Sequence, residues 1–129
     1  MEYRSVHLIK PGDLNSHETL FGGRLLSWLD EEAAVWVMSK TGINSIVTKY
    51  ISEVDFVSPA SKGDLIEIGC DLVEVGNSSI TIECMVRNMT TKKEICKINK
   101  IVFVVVDPVT HQRSYHNLTY EELKAKIVE

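Results

Sequence analysis

A single long helix pattern, from Phe21 to about Thr41, is followed by strand-like alternation running from Ile46 to Val106. That imbalance constrains the fold more than any other feature of the chain. The helix stops near Gly42, a residue that takes a left-handed cap without strain. At ~100° per residue, Phe21, Leu25, Leu26, Leu29, Ala33, Trp36 and Val37 share one broad apolar arc, with Arg24, Glu31 and Glu32 opposite. Asp30 belongs to neither side. It lies at the edge of the apolar arc beside Gly23, Ser27 and Ala34, where little bulk hinders close approach. A carboxylate bordering apolar surface is costly unless paired or left partly wet. The ordinary reading is a solvated rim aspartate; the small neighbours and the Gly22-Gly23 opening favour a site residue.

A first, weakly patterned strand covers residues 3–9 and is broken by Pro11-Gly12-Asp13. His7 there reads as a strand-surface or interface residue. Past the helix, Ile46 to Val57 reads as one long strand rich in β-branched and aromatic residues. Leu65 to Val75 and Ser78 to about Met89 follow, the latter with a clean period of two. The last strand runs from Ile95 to Val106. Thr119 to Glu122 is a capping-box pattern that opens a short C-terminal helix, about 119–128, with an apolar face narrow enough to dock on the surface or on a neighbour. One helix cannot cover both faces of a five- to six-stranded sheet. The expected α+β fold therefore wraps an antiparallel sheet around the long helix, as a single domain over residues 1–129. Long β-branched edges of this kind call for pairing in an oligomer.

With 129 residues the chain can build one proper core but not two. A formal net charge of -4 argues against a general nucleic-acid footprint. No run reaches ~20 apolar residues, so no membrane span is expected, and no secretory h-region opens the chain. Cys70, Cys84 and Cys96 lack paired C-x-x-C spacing, which fits buried reduced thiols in a cytoplasmic protein better than a metal site or a disulfide framework.

The loop and helix together carry a more specific signal. Asn15, Thr19-Leu20-Phe21-Gly22-Gly23, Leu29-Asp30-Glu31 and Ala33-Ala34 resemble the motif of the hotdog-fold acyl-CoA thioesterases, in particular the YciA-like and brain acyl-CoA hydrolase branch. The likeness continues through Val47-Thr48, Val54-Asp55-Phe56 with Pro59, Gly63-Asp64, Gly76-Asn77-Ser78-Ser79 and Phe103 to Asp107, about residues 6–107 in all. Two departures stand out. Glu18 occupies a position where these enzymes commonly have glycine, and Lys49-Tyr50 replaces smaller residues. The resemblance implies hydrolysis of an acyl-CoA thioester without a cofactor, CoA being part of substrate and product. It also implies a homodimer in which Asn15 and Asp30 of one site come from different protomers, often assembled further as a trimer of dimers.

A thioester carbonyl needs an activated water or nucleophile and donors for the developing oxyanion. The helix start at Gly22 and Gly23 offers unpaired N–H groups and a positive dipole end. Asp30 is the expected general base, or alternatively a nucleophile forming a mixed anhydride. Asn15 would orient the water or hold the carbonyl, although a loop Asn also commonly makes an Asx-turn. Thr48 and His17 are expected near the substrate. Ser78, Ser79 and Arg87 are expected to bind CoA, with Lys62, Lys92, Lys93, Lys97 and Lys100 as further candidates for its phosphates. A non-catalytic acyl-CoA-binding protein and a hotdog hydratase or dehydratase are the alternatives. The latter usually needs a histidine, which the helix does not supply.

Overall fold

In a computed structural model that describes residues 1–128, the chain runs β1 (Glu2–Leu8), a 3-10 turn (Pro11–Asp13), α1 (Gly22–Thr41), β2 (Ile46–Ile51), β3 (Val54–Phe56), β4 (Leu65–Val75), β5 (Ser79–Asn88), β6 (Glu94–Val105) and α2 (Tyr120–Lys124). All strands join one antiparallel sheet in the order β1-β4-β5-β6-β2, with β3 also paired to β6. The sheet curls around α1. This is the hotdog architecture.

The core follows from the two periodicities. Leu25, Leu29, Ala33, Trp36 and Val37 are buried along one side of α1. Alternate residues of the central strands meet them, with Ile82 opposite Ile101, Cys84 opposite Ile98 and Val86 opposite Cys96, all fully buried. The helix ends as its sequence demands, with Gly42 at φ 72° and its N–H on the Met38 carbonyl at 2.8 Å.

Three expectations change. Phe21, placed on the apolar arc, is the N-cap and is half exposed. Its ring folds back over Gly23 instead of entering the core. The strand expected from Ile46 to Val57 is interrupted at Ser52-Glu53, where the Ser52 hydroxyl takes the Lys100 N–H at 3.1 Å and substitutes for a ladder bond. The C-terminal helix is shorter than expected. Thr119 does cap it, accepting the Glu122 N–H at 3.2 Å, but it ends at Lys124 and docks through buried Leu123. The sequence carried no reading of Lys40, near the end of α1; it is buried, with Glu2 beside it.

Candidate active site

The loop before α1 is stapled at both ends. The Phe21 N–H donates to the Asp13 carbonyl at 2.9 Å and the Leu20 N–H to the Ala60 carbonyl at 2.8 Å. Inside it, Asn15 organises the backbone. Its Oδ1 accepts the His17 N–H at 2.9 Å and the Thr19 N–H at 3.2 Å, and its Nδ2 donates to Thr19 Oγ1 at 3.0 Å. The Asx-turn is therefore what Asn15 does within its own chain. Glu18 sits at φ 61°, the left-handed region that glycine enters freely. The loop thus keeps the shape glycine would allow, at a conformational cost. His17 is exposed, its backbone N–H held by Asn15 Oδ1.

From this loop the chain enters α1 with Phe21 in an extended conformation and without any side-chain cap. The first-turn N–H groups consequently point out of the helix with its positive dipole end. Two aromatic rings flank the glycines there. A Cβ at Gly22 would lie 3.3 Å from the Phe56 ring, and one at Gly23 would lie 2.9 Å from the Phe21 ring. Glycine at both positions keeps the helix start open without displacing either ring.

Asp30 lies further down the same helix, half-buried, as its place on the wheel requires. Thr48 on β2 donates its hydroxyl to Asp30 Oδ1 at 2.8 Å. That bond fixes the carboxylate against the sheet and leaves Oδ2 available. At ~1.5 Å rise per residue, Asp30 stands about 12 Å along the axis from Gly22. One chain therefore brings together Asp30 and Thr48 but does not bring them to its own Gly22, Gly23 pair.

The residues expected to bind CoA divide into two groups. Ser78 is buried and Ser79 half-buried at the start of β5, bordering a cavity of about 350 Å³ also lined by Lys49, Tyr50 and Arg113. Gly76 leaves room for the Ser79 hydroxyl, which a Cβ there would displace. Arg113 and Lys49 were not legible as site candidates; Arg113 reaches the cavity because the segment after β6 folds back, bridging Val106 to Arg113. Buried His116 anchors that segment, its Nδ1 accepting the Leu118 N–H and its Nε2 facing the Ser79 carbonyl at 3.2 Å.

Arg87, by contrast, is engaged elsewhere. Its Nε contacts Glu67 Oε1 at 2.6 Å and its guanidinium stacks over Tyr3 at 3.7 Å, while Lys92 reaches the same Glu67 oxygen at 3.2 Å. Burial alone would raise the Glu67 carboxyl, yet these two cations hold it below the usual range. Lys62, Lys93, Lys97 and Lys100 are exposed, and none of them lines the Ser78-Ser79 cavity. Among the described residues no group of three or more His, Cys, Asp or Glu side chains is placed to hold a metal. No helix among them is long and apolar enough to cross a membrane.

Comparison with known proteins agrees with this architecture. A Bacillus subtilis protein named as the uncharacterized acyl-CoA thioester hydrolase YkhA is 31% identical over 100 residues, 75% of this chain and 58% of its own. The chain spans little more than half the length of the first curated relatives it matches, 58% and 51%. Among solved structures, an apo-hexameric acyl-CoA thioesterase superposes with a TM-score of 0.77 at 28% identity, covering 94% of this chain and 82% of that one. A Staphylococcus aureus acyl-CoA hydrolase, solved with butyryl coenzyme A, coenzyme A and coenzyme A disulfide, gives 0.76 at 27% identity over 88% of this chain and 66% of its own. That hydrolase has also been solved as single alanine variants at an asparagine, an aspartate and a threonine. The sequence model of the thioesterase superfamily matches residues 17–95, well over half of the chain, and the protein belongs to that superfamily.

Proposed function

We propose that the chain is an acyl-CoA thioester hydrolase, releasing free CoA and a carboxylic acid, and that Asp30 is its catalytic carboxylate. The observation that carries the reading is the Thr48 hydroxyl on Asp30 Oδ1 at 2.8 Å. It pins a helix carboxylate that has no ion-pair partner among the described residues. A structural aspartate would ordinarily be neutralised or fully solvated. Support also comes from spacing. In the Staphylococcus aureus hydrolase the varied asparagine and aspartate are fifteen positions apart, and the threonine follows seventeen further on. Here Asn15 and Asp30 have the same separation, and Thr48 lies eighteen beyond Asp30.

In this mechanism Asp30 Oδ2 takes a proton from water as the water oxygen attacks the thioester carbon. Negative charge builds on the carbonyl oxygen, where the first-turn N–H groups at Gly22 and Gly23 stabilise it. The carbon–sulfur bond then breaks and the thiolate leaves as CoA, taking up a proton. Attack by Asp30 itself, through a mixed anhydride, satisfies the same geometry. Asn15 holds the loop in register and presents its amide at the mouth of the site. The Ser78-Ser79 cavity, with Lys49 and Arg113, suits the hydroxyl- and phosphate-rich CoA; Arg87, committed to Glu67, has a weaker claim and His17 a peripheral one.

The ~12 Å between Gly22 and Asp30 in one chain supports a homodimer with shared sites, Asp30 and Thr48 from one protomer meeting Asn15, Gly22 and Gly23 of the other. The outer edge of β2 suits such a contact, with Val47 and Tyr50 about half exposed. A trimer of dimers is the further assembly proposed, in a cytoplasmic enzyme needing no cofactor, nucleic acid or membrane. The test is CoA release from a panel of acyl-CoA thioesters, followed with a thiol reagent. Release by the unaltered protein and a rate about 10²-fold or more lower for Asp30→Asn is expected. Equal release by both would refute the assignment.

A further inference from the structure

The segment after β6 is laid down by its backbone. The Asp107 N–H donates to the Gln112 carbonyl at 2.8 Å, the Ser114 N–H to the Val105 carbonyl at 2.9 Å and the His116 N–H to the Asn77 carbonyl at 3.2 Å. These bonds carry it as a strap from the end of β6 to the turn before β5. Arg113 stands exposed on this strap and lines the Ser78-Ser79 cavity, as does Lys49. Neither cation is in an ion pair among the described residues. Two uncommitted cations on one concavity suit phosphate.

The His116 ring adds something the backbone does not. It is buried, and both of its nitrogens are engaged. A backbone N–H can only donate, so the Leu118 N–H at 2.9 Å identifies Nδ1 as the bare nitrogen. The ring proton is therefore on Nε2, directed at the Ser79 carbonyl 3.2 Å away. Asn117, at φ 58°, turns the chain so that the Leu118 N–H comes back to the ring. The Ser79 carbonyl also accepts the Gly76 N–H at 3.0 Å, so the turn before β5 is closed without the histidine. The ring ties the strap that carries Arg113 to a serine lining the same cavity.

We propose that His116 is a positioning residue for CoA recognition: its bond to Ser79 sets the strap where Arg113 meets the phosphates of the substrate. This rests on the hydrolase reading above. His116 touches no substrate itself and acts through Arg113. Without the ring bond the phosphate contact weakens, while Asp30 and Thr48 keep their geometry.

The experiment is kcat and KM for the best acyl-CoA thioester of the panel above and for its acyl-pantetheine counterpart, which has no phosphate. In His116→Ala the KM for acyl-CoA is expected to rise about tenfold with kcat nearly kept, the worth of one charge-assisted hydrogen bond in binding. The preference for acyl-CoA over acyl-pantetheine should fall by the same factor. Arg113→Ala should show the same loss, and the double variant no more than either. The amide nitrogen of Gln can take the place of Nε2, whereas the amide oxygen of Asn takes that of Nδ1. His116→Gln should therefore restore the preference and His116→Asn should not. A preference kept in Arg113→Ala or in folded His116→Ala, additive losses, or rescue by Asn in place of Gln overturns the role of His116 and leaves the hydrolase reading intact. Arg113 is exposed, so its arm stays decisive if the histidine variants fold poorly. No CoA release by the unaltered protein overturns the hydrolase reading, and this inference with it.

Discussion

Lys40, near the end of α1, forms a buried ion pair with Glu2 at 2.9 Å, at the opposite end of the helix from the two glycines. The carboxylate also accepts the Trp36 indole N–H at 2.8 Å and the Val128 N–H at 2.6 Å, so that one side chain ties β1, α1 and the C-terminal segment together. Burial by itself would raise the Glu2 carboxyl, but Lys40, Val128 and Trp36 outweigh it and hold the carboxyl below its ordinary value of 4.5. A depressed folded-state pKa contributes stability in full above the unfolded value and loses it as pH falls through the folded one. The fold is thus expected to weaken as pH drops below about 4.5. Urea titrations at stepped pH, read through Trp fluorescence, check this. Glu2→Gln should flatten that part of the profile.

Lys40→Ala should be the more damaging change. It leaves a buried carboxylate without its counter-charge, a loss of about 3–5 kcal/mol. A midpoint in urea close to that of the unaltered protein would contradict the pair's role.

Glu18 offers a gain instead. Its φ of 61° is strained for any residue with a Cβ. Relief of ~1–2 kcal/mol, less the greater unfolded-state freedom of glycine at ~0.4–1 kcal/mol, should leave Glu18→Gly about 0.5–1 kcal/mol more stable. Equilibrium denaturation measures it directly, and a destabilised variant would show that the Glu18 side chain has a partner in the assembled protein.

At the active site, Thr48→Val should lower kcat/KM by about tenfold or more while leaving the melting temperature nearly unchanged. The hydrogen bond it removes is charge-assisted, worth ~1.5–3 kcal/mol, and Thr48 is otherwise exposed. Asp30→Asn should cost about 10²–10⁴-fold, the usual worth of a positioned base. Steady-state CoA release and a thermal melt on the same samples separate the two effects.

The thiols should be silent. Burial pushes the Cys96 thiol up to about 11, and Cys84 is raised well above its ordinary value by its hydrogen bond with Cys70 and by burial. At pH 8 only about one thousandth of the Cys96 thiols would be ionised. A colorimetric thiol reagent should therefore count none of the three in the native protein and all of them in guanidinium. Fast labelling without denaturant would refute that.

Local chemistry made much of this structure legible in the chain. Gly42 marks the end of α1 because a left-handed cap needs glycine, and alternation from Ser78 onwards reads as a strand because every second residue is buried. Resemblance added Asn15, Asp30 and Thr48 as a group. Contacts between distant segments were not legible. Nothing in Glu2 or Lys40 announces the other, since thirty-eight positions separate them. Arg87 looked like a free cation because Glu67 and Tyr3 become its neighbours only once β1, β4 and β5 are side by side. The single strand read from Ile46 to Val57 failed at Ser52, where a side chain competes for a ladder position and propensity gives no warning.

The length of helix between Gly22 and Asp30 has a consequence for how such a catalyst fails. If each reaction centre borrows its halves from separate chains, two dead preparations, one lacking the carboxylate and the other lacking the loop amide, rescue one another on mixing. Hybrid pairs then hold one intact centre and one doubly broken one. By the same logic, turnover falls on dilution in step with the loss of pairs.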